Sequence, residues 1–250
     1  MSEIISVIVQ ARMGSTRLPG KIFKEAGGVS LLEFCLRRLS KVKGIQHLIV
    51  ATSRAVVDDR VEEFCKSKSF EFFRGSENDV LSRYYEAAKQ SGATIVVRAT
   101  SDCPFLDPKL IFEMISEFKR QQVDYLSNNL RFSFPHGLDA EVMRFSALEA
   151  AHQEAAHPEE REHVSPFIRN HPERFKLSNF LNPLDPESRT DMFKMRWTVD
   201  HPQDYEFAKR VIEDFAISEP NFTWVELFNF LKQHPEIQAI NQALEDRKAP

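Results

Sequence analysis

The sequence predicts an α/β fold: a mainly parallel sheet between two layers of helices, with a small irregular lobe attached. Three observations predict it. Short runs that are apolar almost throughout, such as Ile4–Val9 and Ile95-Val96-Val97, read as strands buried on both faces. Segments with helical apolar spacing alternate with those runs, as the crossovers of a parallel sheet require. Loops carrying Gly, Arg, Lys and Asp follow the runs, and open parallel sheets bind ligands there, beyond the carboxyl ends of the strands.

Taken in order, the strand Ile4–Val9 empties into a basic loop. A helix near Leu31–Lys41 follows, with Ser30 and Glu33 spaced as a capping box and Leu32, Cys35, Leu36 and Leu39 on one face. His47–Thr52 reads as strand, Val56–Ser67 as helix, Phe70–Phe73 as a short strand and Asn78–Gln90 as helix. Ile95–Arg98 is a strand again, and Pro108–Gln121 a helix with proline in its first turn and Asp107 ahead of it. Between residues 127 and 182 prolines, asparagines and histidines interrupt the pattern. That lobe holds a strand-like Leu138–Phe145 and helices near Ala147–Glu154 and Glu160–Arg169. Met195–Val199 reads as a returning strand, Gln203–Phe215 as a helix, and Trp224–Lys232 and Glu236–Asp246 as two more. The expected division is a domain over 1–218 that includes the lobe, then a helical extension over 219–250.

Composition narrows the function. A net charge of −4 and the lack of a basic tract argue against nucleic acid as a partner. Three cysteines without CxxC spacing argue for a reducing compartment and against a disulfide frame or structural zinc. No stretch reaches membrane-spanning length, so the expectation is a cytoplasmic protein. The 21 phenylalanines are core packing first and, where any reach the surface, a subunit interface.

Gln10–Lys21, QARMGSTRLPGK, is the most informative stretch. A polyphosphate needs backbone N–H donors and cations of low mobility, and this loop offers both. Gly14 and Gly20 permit close approach or positive φ, while Pro19 pre-forms the turn. Arg12 and Arg17 can grip phosphate oxygens in a fork, and Lys21 adds a point charge. A basic surface loop is the plainer reading of the same composition.

Asp102, just past the apolar strand in RATSDCPFLDP, is placed where a Mg²⁺ would bridge protein and phosphate; an Asx turn before Pro104 explains it equally simply. Asp107 is an N-cap. Asp200 repeats the Asp102 arrangement after Met195–Val199, with helix start as its plainer role. Two such acids with a cationic loop point to metal-assisted phosphate chemistry, in which the metal neutralises a leaving pyrophosphate. The Arg74–Asp79 loop reads either as a cap built on Ser76 and Asp79 or as the reader of a nucleobase edge. The titratable clusters at 136–141 and 160–163 lack metal-ligand spacing.

QARMGSTRLPGK, with RGSENDVLSRYYEAA, RATSDCPFLDP, PHGLDAEV, REHVSPFIRN and RWTVDHPQD, resembles the spore-coat polysaccharide biosynthesis F family of sugar cytidylyltransferases, relatives of the 3-deoxy-manno-octulosonate and acylneuraminate cytidylyltransferases. The resemblance spans roughly residues 4 to 215 in order. It implies a nucleotide-diphospho-sugar transferase fold, CTP and Mg²⁺, and transfer of CMP to a sugar with release of pyrophosphate. It also implies a homodimer. By motif position, Arg12, Ser15, Arg17 and Lys21 match the family's triphosphate loop, and Gln10, Ala11, Gly14, Ser76, Asp79 and Arg83 are the further residues expected at the nucleotide. Asp102 and Asp200 are the expected metal ligands, and with Arg12 and Lys21 the expected catalytic set. Arg98, Glu141, Arg161, Glu162 and His163 are the expected acceptor contacts, Arg161 suiting the carboxylate of a keto-sugar acid. Better-studied members carry a Gly-Asp-Glu/Asp-Pro type motif where this chain reads Ser101-Asp102-Cys103-Pro104, one acid fewer. Two rivals share the fold: a glycosyltransferase, whose Asp-x-Asp metal pair is missing after a suitable strand, and a non-catalytic nucleotide-binding partner of other sugar-biosynthesis enzymes.

Overall fold

The computed structural model describes residues 3–184, 192 and 194–244. Its frame is a seven-stranded sheet with β1 (Ile5–Gln10) near the middle. On one side of β1 lie β4 (His47–Ser53) and then β5 (Glu71–Gly75), all parallel. On the other lies β6 (Ile95–Thr100), also parallel. The chain therefore leaves β1 in one direction and returns on its far side. That reversal opens a crevice at the carboxyl ends of β1 and β6.

Beyond β6 the sheet changes character. β8 (Glu141–Arg144) runs antiparallel to both β6 and β7 (Tyr125–Ser127), and β9 (Leu177–Asn179) closes the edge parallel to β7. Strands β8 and β9 thus come from the segment expected as a lobe and pair into the main sheet. A hairpin, β2 (Glu25–Ala26) and β3 (Val29–Ser30), turns through Gly27 and Gly28 at positive φ.

Alternation along β1 explains the layers. Val7 and Val9 face a core built by α1 (Leu31–Leu39), α2 (Asp59–Lys68), α4 (Pro108–Gln121), α8 (Pro202–Val211) and α9 (Trp224–Gln233). Ile8 faces a second core under α3 (Val80–Gln90), α5 (Phe145–Glu154) and α7 (Pro166–Asn170). The helices after residue 219 belong to the first core: Trp224, Leu227, Leu231 and Ile237 are buried in it. Asp107 ties them down, because its Oδ1 caps Lys109 N at 2.8 Å while Oδ2 accepts Trp224 N at 2.8 Å.

Several elements depart from the expectations. Met195–Val199 is not a strand of the sheet; its one bridge joins Arg196 to His136. A short apolar run signals burial, and burial here comes from loops instead of neighbouring strands. The helix expected over Glu160–Arg169 is two, α6 (Pro158–His163) and α7, broken at Val164, which takes φ 72 ahead of Ser165-Pro166. Val56–Asp58 is a 3₁₀ turn before α2. Gln203–Phe215 is α8, then a π-type turn at Ile212–Ala216. Glu236–Asp246 shortens to α10 (Pro235–Gln238) and turns, and its last two residues lie outside the described residues.

Candidate active site

Three segments meet at the carboxyl edge of β1 and β6. The first is the basic loop. Gly20 takes φ 64, the left-handed conformation that glycine adopts without strain, and its N–H bonds Met13 O at 3.3 Å. This curls the loop and starts the 3₁₀ turn Lys21–Phe23, which carries Lys21 inward. Gly14 has no positive φ, and a Cβ there would meet nothing within 4 Å. Ser15 Oγ accepts Leu18 N inside the loop at 3.3 Å. Arg12 donates to Glu77 O at 3.2 Å, joining the loop to the segment after β5. The Ala11 amide is spent on Ala51 O at 3.1 Å and is closed to a ligand.

Lys21 sits at the centre. Its ammonium donates to Asp102 Oδ2 at 2.9 Å, Asp200 Oδ1 at 2.9 Å and Val199 O at 2.7 Å, using all three hydrogens. Burial alone would lower its pKa, but the two carboxylates outweigh burial and raise it above the ordinary lysine value. Asp200 is the mirror case: burial would raise its pKa, and Lys21, then Arg17 and Arg196, pull it below the usual carboxylate range. Both groups are therefore charged at neutral pH. Arg17, 57% exposed, reaches Asp200 Oδ1 at 3.3 Å and His201 Nε2 at 3.3 Å.

The aspartates differ in what they have left to offer. Asp200 spends Oδ1 on Lys21 and Arg17 and Oδ2 on Arg196 at 3.1 Å. Asp102 spends Oδ2 on Lys21, while Oδ1 has only the Cys103 thiol at 3.8 Å, and its side chain is 30% exposed. Among the described residues no group of three or more His, Cys, Asp or Glu side chains could hold a metal ion alone. An Asp102 oxygen facing open space beside a second carboxylate fits a hard cation that takes its remaining ligands from phosphate and water.

Four contributors to this centre escaped the sequence reading. Asp58, 1% exposed, accepts Met13 N at 2.7 Å and the Ser53 hydroxyl, and so holds the basic loop to the end of β4. Arg196 and Asp204 form a buried pair, Nε to Oδ1 at 2.8 Å and Nη2 to Oδ2 at 3.0 Å. The Val199 carbonyl completes the lysine's acceptors. The spacing of His201 and Asp204, a capping box at the start of α8, was the available signal for Asp204. The others had none.

Beside the centre, the loop after β5 is organised by its own polar groups. Ser76 Oγ accepts Asp79 N at 3.1 Å, and Asp79 Oδ1 caps α3 through Ser82 N at 2.8 Å. Asp79 Oδ2 holds Arg161 at 2.5 Å, which clamps α6 onto α3, so both residues are engaged with each other. Arg83 is 1% exposed; its Nη1 binds Ser76 O at 2.5 Å, while Nε and Nη2 have no hydrogen-bond partner. Burial pushes its pKa below the usual guanidinium range.

Arg98 and Glu141 are directly opposite each other on β6 and β8, joined at 2.6 Å. Because β8 is antiparallel, its first residue lies at the site edge of the sheet. Burial opposes the Arg98 charge, yet Glu141 outweighs it and holds the pKa above the ordinary value. Gln10 Oε1 lies 3.5 Å from Arg98 Nη2. Arg98 Nε and Glu141 Oε2 are buried without partners. Glu162 and His163 lie exposed on α6.

Comparison with known proteins gives the family and the fold. A family model described as cytidylyltransferase matches residues 6–235. The spore coat polysaccharide biosynthesis protein SpsF of Bacillus subtilis is 32% identical over 97% of the chain and 100% of that protein. The structure of a cytidylyltransferase from Leptospira borgpetersenii superposes with TM-score 0.88 at 35% identity, covering 99% of this chain and 100% of that one. CMP:2-keto-3-deoxy-manno-octonic acid synthetase complexed with CTP shares the fold at TM-score 0.62 and 17% identity, over 84% of this chain and 98% of that one.

Proposed function

The chain belongs to the cytidylyltransferase family, and from that premise we propose that it transfers CMP from CTP to a hydroxyl of a keto-sugar acid, releasing pyrophosphate, to make a surface-glycan precursor. The observation that carries the reading is the meeting of Lys21, Asp102 and Asp200, from three distant segments, at the carboxyl edge of the sheet. One such acid stands in the name of the CTP-bound synthetase whose fold this chain shares.

In this reading the triphosphate lies along Gln10–Lys21, with Gly14 leaving room for it. Arg12 and Arg17 hold the outer phosphates. Lys21, charged and held by two acids and the Val199 carbonyl, gives up one of these contacts to meet the bridging oxygen that becomes negative as pyrophosphate departs. The two acids keep the ammonium charged beside the departing group, so its field is in place when charge develops. Asp102 Oδ1 and Asp200 are the residues that would hold Mg²⁺, which supplies neutralisation of the leaving group when bound. Arg83, buried behind the loop after β5, shapes the nucleotide side of the site by holding the Ser76 carbonyl through Nη1. Arg98, 16% exposed at the site edge of β6, is the acceptor contact there, and Glu141 on β8 orients it. Arg161 contributes by fastening α6, which carries Glu162 and His163.

The decisive experiment is a matrix of four nucleoside triphosphates against keto-sugar acids, with Mg²⁺ or with chelator, read by pyrophosphate release. CTP with at least one acid turns over in Mg²⁺ and stops in chelator. Tight CTP binding with no product on any acceptor would leave a nucleotide-binding role instead. Three buried free thiols, Cys35, Cys65 and Cys103, support a cytoplasmic setting, and no helix among the described residues is long and apolar enough to cross a membrane. The homodimer belongs to this reading as well, and sedimentation at low concentration tests it.

A further inference from the structure

Asn241 lies beyond residue 235, where the family match ends, in the turn that follows α10. It is nevertheless 1% exposed. Its side-chain amide donates twice, to Arg196 O at 2.9 Å and to Asp204 Oδ1 at 2.9 Å. Those two residues are the bracket around Asp200. Arg196 Nη2 binds Asp200 Oδ2 at 3.1 Å, and Asp204 Oδ2 accepts the amides of Asp200 at 3.0 Å and His201 at 2.9 Å.

Asp204 is 0% exposed, so every lone pair it leaves unanswered is a desolvation cost. Arg196 answers one side of the carboxylate and the amides of Asp200 and His201, just ahead of α8, another; Asn241 answers what remains of Oδ1. Core packing does not ask for an amide here. Ile237 already anchors this part of the tail in the core, and a leucine would fill space without leaving its own Oδ1 unpartnered, as Asn241 does. The chemical role of the amide is its two donors.

We propose that Asn241 is a positioning residue for Asp200, so that the chain beyond residue 235 completes the metal–nucleotide site it does not touch. The inference rests on the reading of Asp200 given above. Its removal loosens the Arg196–Asp204 pair, lets the Asp200 backbone shift and weakens the grip on metal-bound CTP, with little effect on nucleotide contacts made by the basic loop alone.

The test uses the full chain and the variants N241A, D200N and the double variant, with CTP as the probe, titrated calorimetrically in Mg²⁺ and in chelator. N241A is expected to weaken Mg²⁺·CTP by about 3- to 10-fold, the usual worth of one hydrogen bond, and CTP in chelator hardly at all. The double variant binds no more weakly than D200N, because both act through one group. Affinity unchanged in N241A despite a lowered Tm, or losses that multiply in the double variant, would overturn the proposal. D200N binding like the parent would instead remove Asp200 from the site and the inference with it. Should N241A fail to fold, N241S keeps one donor, and amide hydrogen exchange at Asp200 and His201 replaces the affinity readout. Faster exchange there with β1 amides unchanged supports the proposal; parental protection overturns it.

Discussion

Asp102 and Asp200 touch the same ammonium, yet the chain delivers them in opposite ways. Asp102 comes two residues after β6, a strand paired along its length with β1 and over Ile95–Arg98 with β8, so the sheet itself sets its position. Asp200 ends a segment outside the sheet, whose backbone is pinned piecemeal: Trp197 N to His136 O at 2.6 Å, Val199 N to Asp102 O at 2.8 Å, Arg196 O to Asn241. Local strand geometry places the first acid. A buried polar network of long sequence separation places the second. Such networks rigidify a site when every member is satisfied and lose it abruptly when one is not.

That contrast can be broken at several points. The largest expected loss follows Asp204→Ala, which takes from the buried Arg196 guanidinium the carboxylate that accepts two of its hydrogen bonds and costs about 3–5 kcal/mol of stability by denaturant unfolding; a loss near zero would mean the Asp200 segment is held by packing alone. Lys21→Ala should leave a folded protein with pyrophosphate release reduced ~10²–10³-fold, and unchanged turnover would remove Lys21 from the chemistry. Gly137→Ala comes next. Gly137 has φ 110, and a Cβ there would lie 2.5 Å from both Thr198 N and Trp197 C, so the Asp200 segment must move. A cost of about 1–3 kcal/mol and weakened CTP binding are expected, while an alanine elsewhere in the Asp102 loop should not couple the two readouts.

Titration separates Asp200 from Lys21. Because the folded pKa of Asp200 is depressed, its stabilisation is complete above the ordinary aspartate pKa and is lost only as pH falls through the lowered value. Lys21 has the opposite sign: its contribution is complete below the ordinary lysine pKa and disappears as pH rises through the raised folded value. Unfolding titrations of Asp200→Asn against the parent should therefore diverge less as the acid limb is descended. The smallest effect is at the tail's other tether, where Asp107→Ala should cost about 1 kcal/mol for the lost cap and leave CTP affinity intact.

How far the sequence could be read follows the same division. The helix Pro108–Gln121 was legible to the residue, because Asp107 and Pro108 announce its start through contacts two residues away. β1, β4 and β6 were legible within a residue or two from apolar runs. The Gly27-Gly28 hairpin and the break at Pro166 carried local signals that went unread. In the site, the cationic loop and both aspartates could be named from their neighbours in the chain, and so could their convergence as an expectation. The strand expected at Met195–Val199 could not be corrected from sequence, since a buried apolar run looks alike whether strands or loops bury it.

Local chemistry, then, wrote the α/β alternation, the phosphate-type loop and the acids at its edge into the chain, because turns, caps and periodicity act over a few residues. Pairing Asp58 with Met13, Arg196 with Asp204, and Asn241 with both required the folded molecule. A carboxylate's partner is chosen by what burial brings within 3 Å of it, and no spacing along the chain encodes that distance.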